Sequence, residues 1–411
     1  MSGRDILISN GFNRFHMSVA AAEMARRERL AMMLTGAYPT PHLRGCLKTL
    51  GLTRHRRIAR FIDRYEEIPD DLIQPLSISE AMYDLRSIAE RLNRLSFHKY
   101  AYDSVAFVRK AHERGARLFH YRAGFGHESV QEAKRLGMVT LCDHSIVHPS
   151  LLDALVKNSG KFPDRKDCLP MDDFWEDVLA DITLADHVLV NSHFVSDSFM
   201  YLGWPGNRLS VIYLGLDRKF LEDIPARPAQ RSPGPLRILF AGSFGKRKGA
   251  DILLRALQKL GDADWELCIA GAIEPEVYEQ YQHGAASGKI RHLGVLNRRE
   301  LPKTMVKADL FVFPSLAEGS ARVVFEALAC GLPIITTPNS GSIVQDRKHG
   351  WLVPPGDAES LEHTLRHTMA YREDLPAIGT ANASHIRMHY MQTHYGDNLI
   401  ELYDRLLEGV K

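Results

Sequence analysis

The sequence predicts an α/β protein made of two doubly wound domains, each a parallel sheet with crossover helices, facing a central cleft. Three observations lead there. The chain has 411 residues, too many for one ordinary core and enough for two or three domains. Short apolar runs alternate with helical patterns almost throughout, as parallel strands joined by crossover helices do. A stretch at 223–236, "DIPARPAQRSPGPL", holds four prolines and little that could pack, so it reads as a linker between two sets of strands.

In the first set the expected strands are "DILIS" (5–9), "RLFHY" (117–121), "MVTLC" (138–142), "HVLVN" (187–191) and "LSVIY" (209–213). In the second they are "RILFAG" (237–242), "ELCIAG" (266–271), "IRHLG" (290–294), "DLFVFP" (309–314) and "PIITT" (333–337). Each ends in glycine, a polar turn or a helical pattern. The divisions are therefore 1–222, the linker 223–236, a second domain 237–385, and a terminal helical segment 386–411. Ligands of such sheets bind beyond the carboxyl ends of the strands, so the chemistry is expected in the loops "GSFGKRKG" and "PSLAEGS".

Composition narrows the classes. Hydrophobic residues are 45% and charged residues 25%, a globular balance. A net charge of +2 gives no general field for nucleic acid. Five scattered cysteines without a CxxC pair disfavour a disulfide framework or a zinc site and fit a reducing cytoplasm. The start lacks an apolar core of signal-peptide length, and no run of about 18 apolar residues occurs to span a bilayer, so a cytoplasmic protein, at most peripheral to a membrane, is expected.

The turn "SFGKRKG" opens a helix near Gly249. Free N–H groups at a helix start, with Lys246, Arg247 and Lys248, suit a diphosphate, and Gly249 would let the backbone come close. A solvated basic turn is the alternative, and the order of a P-loop is absent. In "PSLAEGSARVVFEALACG", Glu318 precedes a helix whose first turn is expected to hold Gly319, Ser320 and Ala321, and Glu326 lies about two turns in among Val323, Val324, Phe325 and Leu328. A carboxylate in such a run needs a partner. Arg322, four residues before it, could pair with Glu326 on the helix, but that leaves Glu318 and the small-residue turn unexplained, which favours ligand contact.

These strings, from "RILFAGSFGKRKGADILL" through "LGVLNRRELPKTMVKADLFVFPSLAEGSARVVFEALACGLPIITTPNSGS" to "HGWLVPPGD", resemble the donor-binding half of family-4 retaining glycosyltransferases of the GT-B fold over roughly residues 236–370. The resemblance includes a Glu-x7-Glu motif, matched by Glu318 and Glu326. It implies that Glu318 touches hydroxyls of the donor sugar, that Glu326 touches the ribose hydroxyls, and that Gly242, Leu296 and the Gly319–Ala321 turn face the donor. The family's phosphate-binding lysine maps onto Lys248. Its arginine position holds Ser243, a departure for which Arg247 or Lys246 would have to compensate.

The first half resembles the family more weakly. Gly11 in "NGFNRFHMSVAAAEMARR" would face the diphosphate and Asn13 or Arg14 the acceptor, making the first domain the acceptor-binding one. Members keep a histidine near the catalytic centre after the fourth strand, where "LCDHSIVHPS" offers Asp143, His144 and His148. The end, "HYMQTHYGDNLIELYDRLL", resembles the closing helix that packs back on the first domain, and reads equally as an ordinary amphipathic helix.

Two further stretches stand out. "MDDFWED" (171–177) is acidic but reads as a helix start, and no essential metal is expected. Residues 42–64 carry seven Lys or Arg and one acid, Asp63, interleaved with Leu43, Leu47, Leu50, Ile58, Phe61 and Ile62. This is either a solvated face or a surface for anionic headgroups. The expected function is retaining transfer of a sugar from a UDP- or GDP-sugar to a glycan, lipid-linked or small-molecule hydroxyl acceptor, without an essential cofactor. A GT-B epimerase or phosphorylase, or a catalytically silent sugar-nucleotide-binding protein, remain alternatives.

Overall fold

The computed structural model describes residues 3–13, 15–85, 91–170, 172–227 and 234–409. Its first sheet contains β1 (Ile6–Ser9), β2 (Leu30–Thr35), β3 (Ile73–Pro75), β4 (Leu118–Arg122), β5 (Val139–His144), β6 (His187–Val190) and β7 (Leu209–Val211) in the order β3-β2-β1-β4-β5-β6-β7. The second contains β8 (Leu236–Ala241), β9 (Trp265–Ala270), β10 (Ile290–Gly294), β11 (Leu310–Phe313), β12 (Ile334–Thr336) and β13 (Gly350–Leu352) in the order β10-β9-β8-β11-β12-β13. All pairings are parallel. The central strands are buried on both faces, ILIS and LFVF throughout, which is why they read as continuous apolar runs.

Three strands differ from expectation by being present. β2, "LAMMLT", is rich in Leu, Ala and Met, residues that favour helices. β3 and β13 are three-residue edge strands, one ending in Pro75 and the other beginning with Gly350, so neither has length or propensity to announce it.

Strand order reverses between β1 and β4 in the first domain and between β8 and β11 in the second. At such switch points the helices leave to opposite faces and a crevice opens at the carboxyl ends. The loops 10–13 and 242–249, with 314–321, therefore border the cleft. The chain passes between domains twice, side by side: Leu216 N donates to Tyr390 O and Gln392 N donates to Leu216 O, both at 2.8 Å. The last helix, Gln392–Glu408, then lies on the first domain. Its Tyr395, Leu399, Leu402, Tyr403 and Leu407 join one core cluster with Ile6, Ile8, Met17, Ala20, Ala21 and Met24. Residues 228–233 of the expected linker fall outside the described residues.

Candidate functional site

After β8 the chain turns through Gly242 (φ 126°) into a single 3-10 turn, Lys246–Lys248, and then the helix Ala250–Leu260. Gly249 is left-handed (φ 73°), and a Cβ there would stand 2.0 Å from the Pro314 carbonyl oxygen. The close approach that requires glycine is thus with the exit of β11, which corrects the expectation of an approach to ligand. This packing brings the two loops together. Arg247 Nη1 donates to Glu318 Oε1 at 2.7 Å and to Ala317 O at 2.8 Å. Lys248 Nζ lies 3.4 Å from the same carboxylate oxygen and 5.2 Å from the centre of the Phe313 ring. The loop after β9 adds acids that the sequence reading missed: Glu274 accepts from Ser243 Oγ, and Glu276 accepts from Lys246 N at 2.9 Å.

The helix carrying Glu326 begins at Arg322 and runs to Ala329, so Gly319, Ser320 and Ala321 form the approach to it and are not its first turn. The turn after β12 reaches across to them: Glu318 N donates to Asn339 O at 3.0 Å and Ala321 N to Ser340 O at 2.9 Å. Those two amides are therefore satisfied within the protein. The first domain closes on the same point. Ser192 Oγ donates to Gly319 O, and a Cβ on Gly319 would meet Ser145 O at 1.8 Å.

Glu326 is paired on its own helix. Arg322 Nε donates to it at 3.1 Å, and Arg322 Nη2 reaches Asp217 at 3.0 Å, which also holds Arg298. Burial pushes the Glu326 carboxyl up, against the pull of Arg322. At the same time Glu326 lines an interdomain cavity of about 350 Å³ with Phe15, His16, Val19, Leu214, Arg298 and Arg322. Leu296 packs, partly buried, on the second domain's core.

In the first domain Gly11 (φ 73°) donates its N–H to Tyr100 Oη at 3.2 Å, and a Cβ there would press on the Phe125 ring at 2.8 Å. Asn13, also left-handed, receives Arg64 Nη2 on its Oδ1 at 2.9 Å and donates its N–H to the buried Glu80 at 3.3 Å. Arg14 lies outside the described residues. His144 and His148 are 4% and 3% exposed and set edge-on against Phe199. Burial pushes their pKa values down to about 4 and about 3. Both rings are packed into the first domain and line none of the cleft cavities.

A histidine that does border the cleft cavities is His16, first residue of the helix His16–Arg26. Its Nε2 lies 2.8 Å from Asp143 Oδ1. Together they line a second cavity, about 140 Å³, with Ser145 and Asn191 on the first domain's side and Ser320, Arg322 and Phe325 on the other. A histidine at the helix start after the first glycine-bearing loop was a signal available in the sequence. Its partner, 127 residues away, was not. The acidic stretch at 171–177 is structural where described: Asp172 caps its helix, and Asp173 and Asp177 pair with Arg94.

With the site described, comparison with known proteins gives its class. Residues 235–370 match the family described as Glycosyl transferases group 1. The amylovoran biosynthesis glycosyltransferase AmsK of Erwinia amylovora is 25% identical over 218 residues, 50% of this chain and 53% of its own. The putative colanic acid biosynthesis glycosyltransferase WcaL of Escherichia coli is 27% identical over 184 residues, 40% of this chain and 43% of its own. The chain spans about half the length of the curated relatives it matches. Among solved structures, Anabaena HepE in complex with UDP has a TM-score of 0.61 at 15% identity, covering 98% of this chain and all of that one. A glycosyltransferase from Rickettsia africae has a TM-score of 0.65 at 14% identity, with 99% of each chain covered. These structural likenesses carry the fold, two Rossmann-like domains of the GT-B type, and the family match lies within the second domain, over residues 235–370.

Proposed function

We propose that the protein transfers a sugar, with retention of anomeric configuration, from a nucleoside-diphosphate sugar to a hydroxyl acceptor in the assembly of a surface polysaccharide or glycolipid. The observation that carries this reading is the convergence of Arg247 and Lys248 on Glu318 at the β8/β11 switch point, 2.7 and 3.4 Å from its carboxylate. Negative charge grows on the diphosphate as it departs, and cations fixed in advance stabilise that charge without reorganising. Lys248 and Arg247 take this role in the absence of an essential metal, Glu318 then binds sugar hydroxyls, and Glu326 exchanges Arg322 for the ribose hydroxyls.

A uridine donor is favoured by HepE, solved with UDP and with UDP-glucose, and a polysaccharide acceptor by relatives named for amylovoran and colanic acid. In this reading the loop after β1 turns Gly11 to the diphosphate and Asn13 or Arg14 to the acceptor. Peripheral contact with the cytoplasmic face of a membrane fits the helix Pro41–Thr49, which has no buried side chain, and the exposed Leu43, Leu50 and Leu52 beside Lys48 and Arg54. Among the described residues no helix is long and apolar enough to cross a membrane.

Ser243, engaged by Glu274 where the resembled family has arginine, favours one second reading: a sugar-nucleotide-binding protein without turnover. One experiment separates the two. UDP and GDP are titrated calorimetrically, and release of the nucleoside diphosphate from its sugar is followed with and without an oligosaccharide acceptor panel. Acceptor-dependent release supports transfer and rejects an epimerase or phosphorylase; tight binding with no release supports the silent binder.

A further inference from the structure

We propose that His16 is a catalytic residue of this transfer, taking the proton of the attacking acceptor hydroxyl while Asp143 holds its ring in place. The inference rests on the donor-transfer reading above and adds to it a base from the opposite domain.

The His16 side chain is 14% exposed and that of Asp143 4%. Burial by itself would raise the Asp143 carboxyl, but the imidazoles of His16 and His120 hold it well below the usual carboxylate range. An ionised carboxylate only accepts hydrogen bonds, so the His16 nitrogen facing it, Nε2, carries a proton. In the neutral ring Nδ1 is then the acceptor. Among the described residues no hydrogen bond reaches Nδ1, and it is not one of the fully buried unpartnered atoms. Its lone pair therefore remains available, on a ring that borders both interdomain cavities and leans on Phe15 with centroids 4.2 Å apart.

Support behind the pair is unusually deep. Asp143 is the last residue but one of strand β5. His120 on the adjoining β4, fully buried, brings Nε2 to 3.5 Å from the second Asp143 oxygen, and its Nδ1 lies 2.7 Å from Tyr403 Oη on the closing helix. Asp143, His120 and Tyr403 are positioning residues: they fix the ring but touch no substrate. A histidine needed only to satisfy a core carboxylate would have no reason to border both interdomain cavities, one walled by Ser320 and Arg322 and the other reaching Glu326.

In the step itself the acceptor oxygen approaches the anomeric carbon from the face the diphosphate leaves, which keeps the configuration, and forms its bond as that carbon's bond to the phosphate oxygen breaks. The electron pair leaves with the nucleoside diphosphate. The hydroxyl proton passes to Nδ1, and the imidazolium, stabilised by Asp143, returns it to solvent.

The test uses the full chain with His16→Gln and Asp143→Asn. UDP affinity is measured by calorimetry, and UDP release from UDP-glucose to water and to an acceptor panel is measured from pH 5 to 9. Expected are UDP affinities within about threefold of the unaltered enzyme, and a loss of about 100-fold in release for His16→Gln with the acidic limb of the pH profile gone. Asp143→Asn should shift that limb to lower pH, because loss of the carboxylate disfavours the imidazolium. In the unaltered protein, nitrogen NMR should place the His16 ring proton on Nε2. Release by His16→Gln within threefold of normal, an unchanged acidic limb, or a ring proton on Nδ1 overturns the proposal. If the unaltered enzyme binds no nucleotide, the donor reading itself falls, and this inference with it.

Discussion

Gly319→Ala is the substitution whose outcome the geometry determines most directly. The backbone at Gly319 is not left-handed, so a methyl group adds no backbone strain. It does add a contact: the new carbon would stand 1.8 Å from the Ser145 carbonyl oxygen and 2.9 Å from Asn191 Nδ2, where ordinary contact begins at 3.4 Å. The deficit, 3.4 minus 1.8, is 1.6 Å. Ser145 and Asn191 belong to the first domain and Gly319 to the second, so the clash is relieved by parting the domains at this point, with loss of the Ser192 hydrogen bond, worth about 1 kcal/mol. A misplacement of about 1 Å between reacting groups costs roughly 100-fold in rate. The variant should melt within a few degrees of the parent, bind UDP nearly as well, and release it from UDP-glucose about 100-fold more slowly. Turnover above half of normal would mean that this contact is not made in the working enzyme. A large fall in melting temperature would mean that the clash is absorbed within a domain.

Lys248→Ala should lower turnover at least 100-fold while changing stability by less than about 1 kcal/mol, since Arg247 still satisfies Glu318 at 2.7 Å and a partly exposed ion pair contributes little; equal losses of both would remove its proposed role. Glu326→Gln should weaken UDP about tenfold in calorimetry but leave pyrophosphate unaffected, and equal weakening of the two would place the residue at the phosphates. Acid should destabilise the fold through His144 and His148. Their folded pKa values, about 4 and about 3 by burial, lie below the free value, so the unfolded chain binds more protons and stability falls as pH drops below about 6.5. At pH 5 each ring costs up to about 2 kcal/mol. Melting curves from pH 7 to 5 should therefore shift downward, and less so in His148→Phe; a pH-independent melting temperature would show that the rings are not buried neutral.

Much of the fold was legible because parallel strands buried on both faces leave apolar runs, unbroken in β11 and interrupted by a single charged residue in β8 and β9, Arg237 and Glu266. β2 was hidden by its methionines and leucine, and β13 by its length. At the site, Arg247, Lys248 and Glu318 were legible from short local strings. Pairs distant in sequence were not: His16 with Asp143, Ser243 with Glu274, Gly319 with Ser145. His144 and His148 illustrate the opposite error. Polar residues after a strand look functional in a string, and only the packing of Phe199 against both rings shows that they belong to the interior. The start of the Glu326 helix was misplaced by one turn because the turn at Pro338–Ser340, which supplies carbonyl partners to Glu318 and Ala321, is contributed from beyond β12.

The first domain is completed only by the last helix, 17 residues long, so it is discontinuous along the chain. A fragment ending near residue 222 would expose to water the strip on Ile6, Ile8, Met17 and Met24 that Leu399, Leu402 and Tyr403 now cover, and it should be prone to aggregate. Chimeras that exchange acceptor halves between relatives need to carry this helix along with the amino-terminal segment. During synthesis the first sheet emerges long before this helix and stays bare on that side until the helix follows it.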